Sequence, residues 1–291
     1  MYIANYFKII HKNLQMKCHL HELYDIVNIN TDIYNKFVPD KYIQIGGSKH
    51  KFTHENLTYM IHRDEDSDNI NFYIFNNDND DSPDVCAHLI INKKKQMIYV
   101  QGISNYKGCA VEGMPKTRGG SYLLQAVLAY INKIKKQYKL KYIMLRDNSY
   151  FSCRRTGKSV SMSALYMLTK GSTWYHKYGF VPFDPETENI DMAKYIDLKT
   201  NQKIVDIIPV KCTPIKELIM DSFFKYKYDD SSKKDLVKAL TRYENMSVKS
   251  FMAMFMKEYD LTCDVFGDIY KQLLASLQMV DLHGTVYYKQ L

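Results

Sequence analysis

The run STWYHKYGF at residues 172–180 sets Tyr175, His176, Lys177 and Tyr178 side by side. A phenol held within about 3 Å of a departing anion can hand it a proton, and an imidazole can accept one. The same letters also suit plain packing, with Gly179 making a tight turn and Phe180 filling a core. A second group suits an anion. In EGMPKTRGGSYLL (112–124), Gly119 and Gly120 allow close approach of the backbone, and Lys116 and Arg118 add charge. From Ser121 the chain turns helical, with the free N–H groups and positive end of a helix start. In SCRRTGKS (152–159), Arg154, Arg155 and Lys158 flank Gly157 without the spacing of a phosphate-binding loop. It reads as an exposed basic loop for an acidic substrate or nucleic acid. Cys18, His19 and His21 in CHLH can each ligate a metal, but zinc sites usually bring two spaced pairs and no second pair follows.

Something must position these residues. Strand-like runs at 57–63, 70–76, 85–92 and 97–104 are separated by DEDSD, NDNDDSPD and KKKQ, polar connectors that cannot continue a ladder. Their spacing predicts an antiparallel meander. The period then changes, because Leu123, Val127, Tyr130, Ile134 and Tyr138 fall on one face of a helix over 120–138. KYIMLRD (141–147) follows as a buried strand, so strand, helix and strand make a βαβ-like unit. SALYMLTKG (163–171) predicts a second helix capped by Gly171. Past about residue 200 helical patterns take over, at 235–243, 248–259 and 264–277. The stripe Val248, Phe251, Met252, Phe255 and Tyr259 reads as core. The expected organisation is an α/β domain over 1–200 and a helical region over 201–291 packed on it.

Composition narrows the class. A chain of 291 residues with 46% hydrophobic content is globular and can bury one large core or two smaller ones. Its 25 tyrosines accompany abundant Lys, Asn and Ile, the bias of an AT-rich genome, so their number says nothing about function. Polar residues interrupt MYIANYFKIIHKN before any signal-peptide run, and no stretch of about 18 apolar residues occurs. The six scattered cysteines, with no CxxC, read as reduced thiols, and the expectation is a soluble intracellular protein. The net charge of +8 is uneven: 11 basic and 13 acidic residues in 1–100, 16 and 7 in 101–200, and 13 and 12 in 201–291. The middle third should attract an anion, either a cofactor phosphate or a nucleic acid, unless it is a solvated lysine face.

Meander, glycine-led helix, strand, and a helix running into WYHKYGF is an order that resembles the GNAT superfamily of acyl-CoA N-acyltransferases, over roughly residues 57–185. The resemblance implies a mixed, mainly antiparallel sheet with a splayed central parallel strand pair, 97–104 and 141–147. It further implies that the pantetheine arm of acetyl-CoA lies in the gap along Ile103 and Ser104. The family's pyrophosphate loop, Arg/Gln-x-x-Gly-x-Gly/Ala, aligns with Gly120 at its last position, Arg118 at the first glycine and Pro115 at the Arg/Gln. Lys116, Arg118, Gly119, Gly120 and Ser121 would then meet the phosphates. The Tyr-x-Lys-x-Gly-Phe motif falls on Tyr175, Lys177, Gly179 and Phe180, which gives Tyr175 the role of protonating the coenzyme A thiolate. The helix Asn often found in the family corresponds to Leu168. His176 beside the acid, and His88 and Gln101 in or beside the central strands, are the candidate bases. Composition and YMLTKGSTWYHKYGF also resemble GNAT-like proteins of large DNA viruses, which implies host cytoplasm or virion.

The expected activity is transfer of an acetyl group from acetyl-CoA to a primary amine by direct attack. The alternative is a GNAT fold that has lost catalysis and binds a protein through its C-terminal helices, or nucleic acid through its basic middle. The altered glycine and the Leu168 position favour the alternative, and the Tyr175 motif favours the enzyme. Sequence-specific DNA binding finds no helix-turn-helix or zinc-finger pattern, and no membrane partner is expected.

Overall fold

The computed structural model describes residues 47–76, 85–103, 109, 119–152, 157–225, 230–258 and 262–291. Among them the chain forms two compact units, 47–146 with 286–291, and 147–285. The change of unit therefore comes at Asp147, whereas the change from strand to helix patterns in the sequence comes near residue 200.

The first unit is a sheet of seven strands in the order β1-β2-β3-β4-β5-β6-β11. Here β1 is Ser48–His54, β2 Leu57–Glu65, β3 Asn69–Phe75, β4 Val85–Asn92, β5 Met97–Ile103, β6 Tyr142–Arg146 and β11 Val286–Gln290. Neighbours run antiparallel except β5 and β6, which are parallel. That is the mixed, mainly antiparallel α/β sheet the residue patterns imply. Helix α1, Gly119–Ile134, bridges the parallel pair as a crossover must. It covers one face of the sheet, where the fully buried Tyr130 meets Phe52 and Phe72 edge-on at 5.3 and 5.6 Å. Met60, Tyr73 and Phe75 form a smaller cluster of their own. Two strands go unread in the sequence. In β1, SKHKFTH, only Phe52 is buried, so an edge strand leaves no alternation to detect. In β11, five residues pair with β6 from about 140 positions away in the chain.

The second unit holds most of the helices: α2 (Met162–Lys170), α3 (Met192–Ile207), α4 (Ile215–Lys225), α5 (Asp230–Arg242), α6 (Val248–Glu258) and α7 (Thr262–Ser276). It also contains two short hairpins, β7 (Tyr150–Ser152) with β8 (Ser159–Ser161), and β9 (Val181–Asp184) with β10 (Asn189–Ile190). One core runs through it, from Val160, Met167 and Leu168 to Leu198, Ile219, Leu240, Phe266 and Leu273. Val248, Phe251, Met252 and Phe255 are buried in this core as their spacing requires, while Tyr259 lies outside the described residues. The C-terminal helices thus share a core with α2 and are no tethered tail. Among the described residues no helix is long and apolar enough to cross a membrane.

The cysteines depart from the reading as reduced thiols. Cys86 on β4 and Cys109 are joined, with 5.4 Å between their Cα atoms, and Cys212 is also disulfide-bonded. Spacing alone could not show this, because the bridge depends on β4 meeting a segment that follows β5. Both Cys86 and Cys109 are buried, at 1% exposure. Closing a loop between residues 23 apart removes unfolded-chain entropy worth about 3 kcal/mol. We expect the Cys86→Ser, Cys109→Ser protein to melt several degrees lower, and the wild type to fall at least as far in reductant, which also opens the Cys212 bridge. A melting curve indifferent to both would mean the bridge does not form.

Candidate functional site

The parallel ladder of the first unit is short. It runs from Met97↔Tyr142 to Val100↔Leu145 and stops, although β5 continues to Ile103. Across the other edge of β5, Leu89 faces Val100 but His88 faces Gly102, so Gln101 is an extra residue and the strand bulges there. A glycine inside a strand is the sequence sign of such a bulge. Gln101 and Gly102 are exposed and Ile103 is half-buried. A Cβ built on Gly102 would meet nothing within 4 Å. The last three residues of β5 thus have no β6 partner in the ladder, and the face of the sheet is open at Gly102. Backbone of this kind takes a strand-like ligand.

The residues expected to meet the cofactor are described only in part. Ser104, Lys116 and Arg118 lie outside the described residues. Gly119 and Gly120 begin α1, Ser121 stands in its first turn, and that turn carries no acidic residue. Leu123 and Leu124, both fully buried, anchor this end of the helix. Its N–H groups can therefore face an anion without a competing carboxylate on the same turn.

His88 sits on β4 opposite Gly102. Its ring stacks on Tyr73 at 4.5 Å, and Nε2–H donates to Asn71 Oδ1 at 3.2 Å. Burial lowers its pKa to about 4, so the imidazole is neutral near pH 7 and a weak proton acceptor for an ammonium. Because protonation favours the unfolded chain, this group's contribution is complete above its ordinary pKa of 6.5 and is lost as pH falls toward about 4. Melting curves between about pH 7.5 and 4.5 should show His88→Asn losing less stability than the wild type. Equal losses would mean that His88 titrates normally.

Tyr175 and His176 belong to the second unit. Helix α2 starts at Ser161, whose Oγ accepts from Ala164 N at 3.2 Å, and ends at Gly171 in the left-handed region with φ 65°. A short 3-10 turn, His176–Tyr178, then leads to Gly179 with φ 84° and into β9. Gly179 makes the tight turn and Phe180, fully buried, fills the core, as the motif requires. The ring of Tyr175 lies between Trp174 at 4.9 Å and Phe180 at 6.1 Å. His176 Nδ1–H donates to Phe180 O at 3.0 Å, which pins the turn, and burial lowers its pKa. Lys177 lies over the rings of Tyr166 and Tyr178 at 5.6 and 4.6 Å. Leu168 is core.

Of the remaining candidates, Arg154, Arg155, Cys18, His19 and His21 lie outside the described residues. Lys158 is ion-paired with Asp268 of α7. No group of His, Cys, Asp and Glu among the described residues can hold a metal ion. A further ionisable group, Asp147, follows β6 and is fully buried. Its Oδ1 accepts from the Ser149 amide at 3.1 Å, and its Oδ2 has no partner. Burial raises its pKa. Nearby in the chain's second unit, Asp281 Oδ1 accepts from Ser161 and Ser163 at 3.1 and 3.0 Å. A lone carboxylate at a strand end has no motif to announce it.

No protein-family model, curated protein or solved structure matches the chain.

Proposed function

We propose that the chain is an acetyl-CoA-dependent N-acetyltransferase of the GNAT type, acting on a primary amine. The observation that carries this reading is the β5–β6 pair, whose parallel ladder ends at Val100↔Leu145 while β5 bulges at Gln101 and continues unpaired with β6. The residues present fit the cofactor. Pantetheine carries amide donors and acceptors, and the backbone of Gln101–Ile103, unpaired with β6 and open on the sheet face at Gly102, offers the complementary groups. The N–H groups of Gly119, Gly120 and Ser121 would take phosphate oxygens. When bound, acetyl-CoA supplies the acetyl group as a thioester. The chain's own part is to orient the carbonyl along β5 and, through the Tyr175 phenol, to give a proton to the departing thiolate. The role of Tyr175 rests on its place in the Tyr-x-Lys-x-Gly-Phe motif.

One observation favours the second reading, a GNAT fold that serves only as a binding module. His88 and His176 are each hydrogen-bonded inside the protein and held below their ordinary pKa, so neither is a strong base for an incoming ammonium. Incubating the protein with acetyl-CoA and a panel of primary amines while following free thiol separates the two. Amine-dependent thiol release supports the enzyme, and its absence with every amine leaves the module. The cysteine argument for an intracellular address no longer holds once Cys86 and Cys109 are bridged, because disulfides persist where the surroundings are oxidising.

A further inference from the structure

We propose that the first unit carries a nucleic-acid docking surface at the start of β5 and β6, at the opposite end of these strands from the gap at Gln101–Ile103. The segment KIKKQYKLK, residues 133–141, holds five lysines as α1 ends and the chain turns into β6. Leu140 N bonds Lys135 O at 2.9 Å, and Lys141 N bonds Gln96 O at 2.8 Å. The second of these bonds fastens the segment to the Lys93–Lys95 turn between β4 and β5. Eight lysines therefore gather at one end of the sheet.

Acidic residues neutralise only part of this charge. Lys93 pairs with Glu65 at 2.8 Å and Lys94 with Asp68 at 2.8 Å, while Lys133 lies over the Phe52 ring at 5.7 Å. Lys135, Lys136, Lys139 and Lys141 have no carboxylate within 4.0 Å among the described residues. Three of these four are exposed and Lys135 is half-buried.

The chemistry of the surface selects its partner. None of the exposed large hydrophobic residues falls within 93–96 or 133–141, so the surface has nothing to insert into a lipid layer and no apolar anchor for a protein interface. Its free charges are lysine ammoniums, because Arg63 beside Tyr138 is held by Glu65, and point charges of this kind suit contact with phosphates and not with base edges. A phosphodiester backbone, with its dense and regular charge, is the complement, and the binding should be independent of sequence.

The test is fluorescence anisotropy with a labelled duplex DNA of about 20 base pairs, titrated between about 50 and 200 mM salt. With about four lysines engaged, affinity should fall roughly 10²-fold over that range, a log–log slope of about −3 to −4. K135E/K136E should weaken binding at least about tenfold at low salt and make the slope shallower by about 2, with K135Q/K136Q intermediate. K234E/K238E, on exposed lysines of α5 in the second unit, should leave the curve nearly unchanged. Saturating coenzyme A should not displace the DNA. The assignment is overturned if the control pair weakens binding as much as K135E/K136E, if coenzyme A competes, if no DNA binds at low salt, or if K135E/K136E loses binding only to phosphatidylserine vesicles.

Discussion

Tyr175→Phe leaves the melting temperature close to the wild-type value and slows thiol release by a factor on the order of 10² to 10⁴, the usual contribution of a positioned general acid. The ring packing stays: Trp174 and Phe180 meet Tyr175 at centroid distances of 4.9 and 6.1 Å, and a phenyl group preserves both contacts. The backbone keeps its role too, since the Tyr175 carbonyl accepts from Tyr178 N at 2.9 Å whatever the side chain. Only the acidic proton is removed. If the tyrosine is merely structural, the same substitution costs about 1 kcal/mol for one lost hydrogen bond and leaves ligand binding intact. Thermal melts and a thiol-release assay on the same preparation distinguish the outcomes. Unchanged turnover in a well-folded variant removes Tyr175 from the mechanism.

Phe180→Ala gives the opposite pattern. This side chain is fully buried immediately after the left-handed Gly179, where the chain enters β9. Emptying such a position costs about 3–5 kcal/mol, because the lost transfer energy and the cavity add. The expected result is a large drop in the denaturant midpoint whichever functional reading holds, and in the enzyme reading a loss of activity as the motif loosens. A loss under about 1 kcal/mol would mean that Phe180 is not a core residue. The two variants, five residues apart, separate packing from proton transfer within one motif.

Helices α1, α2, α5, α6 and α7 were legible because each carries its own periodic signal, whereas α3 and α4 went unread. Val248, Phe251, Met252 and Phe255 recur at three- and four-residue steps and are all buried. The β2–β5 meander was legible for a similar reason, as polar connectors interrupt its apolar runs. Strand β11 was not, because the information that places VYYKQ beside β6 resides in pairing partners far along the chain. The Cys86–Cys109 bridge shares that origin. The strand gap was half legible: strand–helix–strand spacing implies a parallel pair, but the bulge at Gln101 is a property of two strands in register, hinted at only by Gly102. The division at Asp147 escaped because local pattern reports element type, whereas α2 takes its neighbours from α3 to α7 by shared burial.

The proposal that acetyl-CoA lies along the open end of β5 is tested by calorimetric titration of two proteins, the wild type and Gly102→Phe, with coenzyme A. A Cβ at Gly102 would meet nothing within 4 Å and the residue is exposed, so the variant should fold and melt like the wild type. The expected result is micromolar binding of coenzyme A to the wild type, about −8 kcal/mol, and at least about a tenfold weaker affinity for Gly102→Phe, whose ring would stand on the sheet face at that strand end. No heat of binding with the wild type, or equal affinity for both proteins, would contradict it.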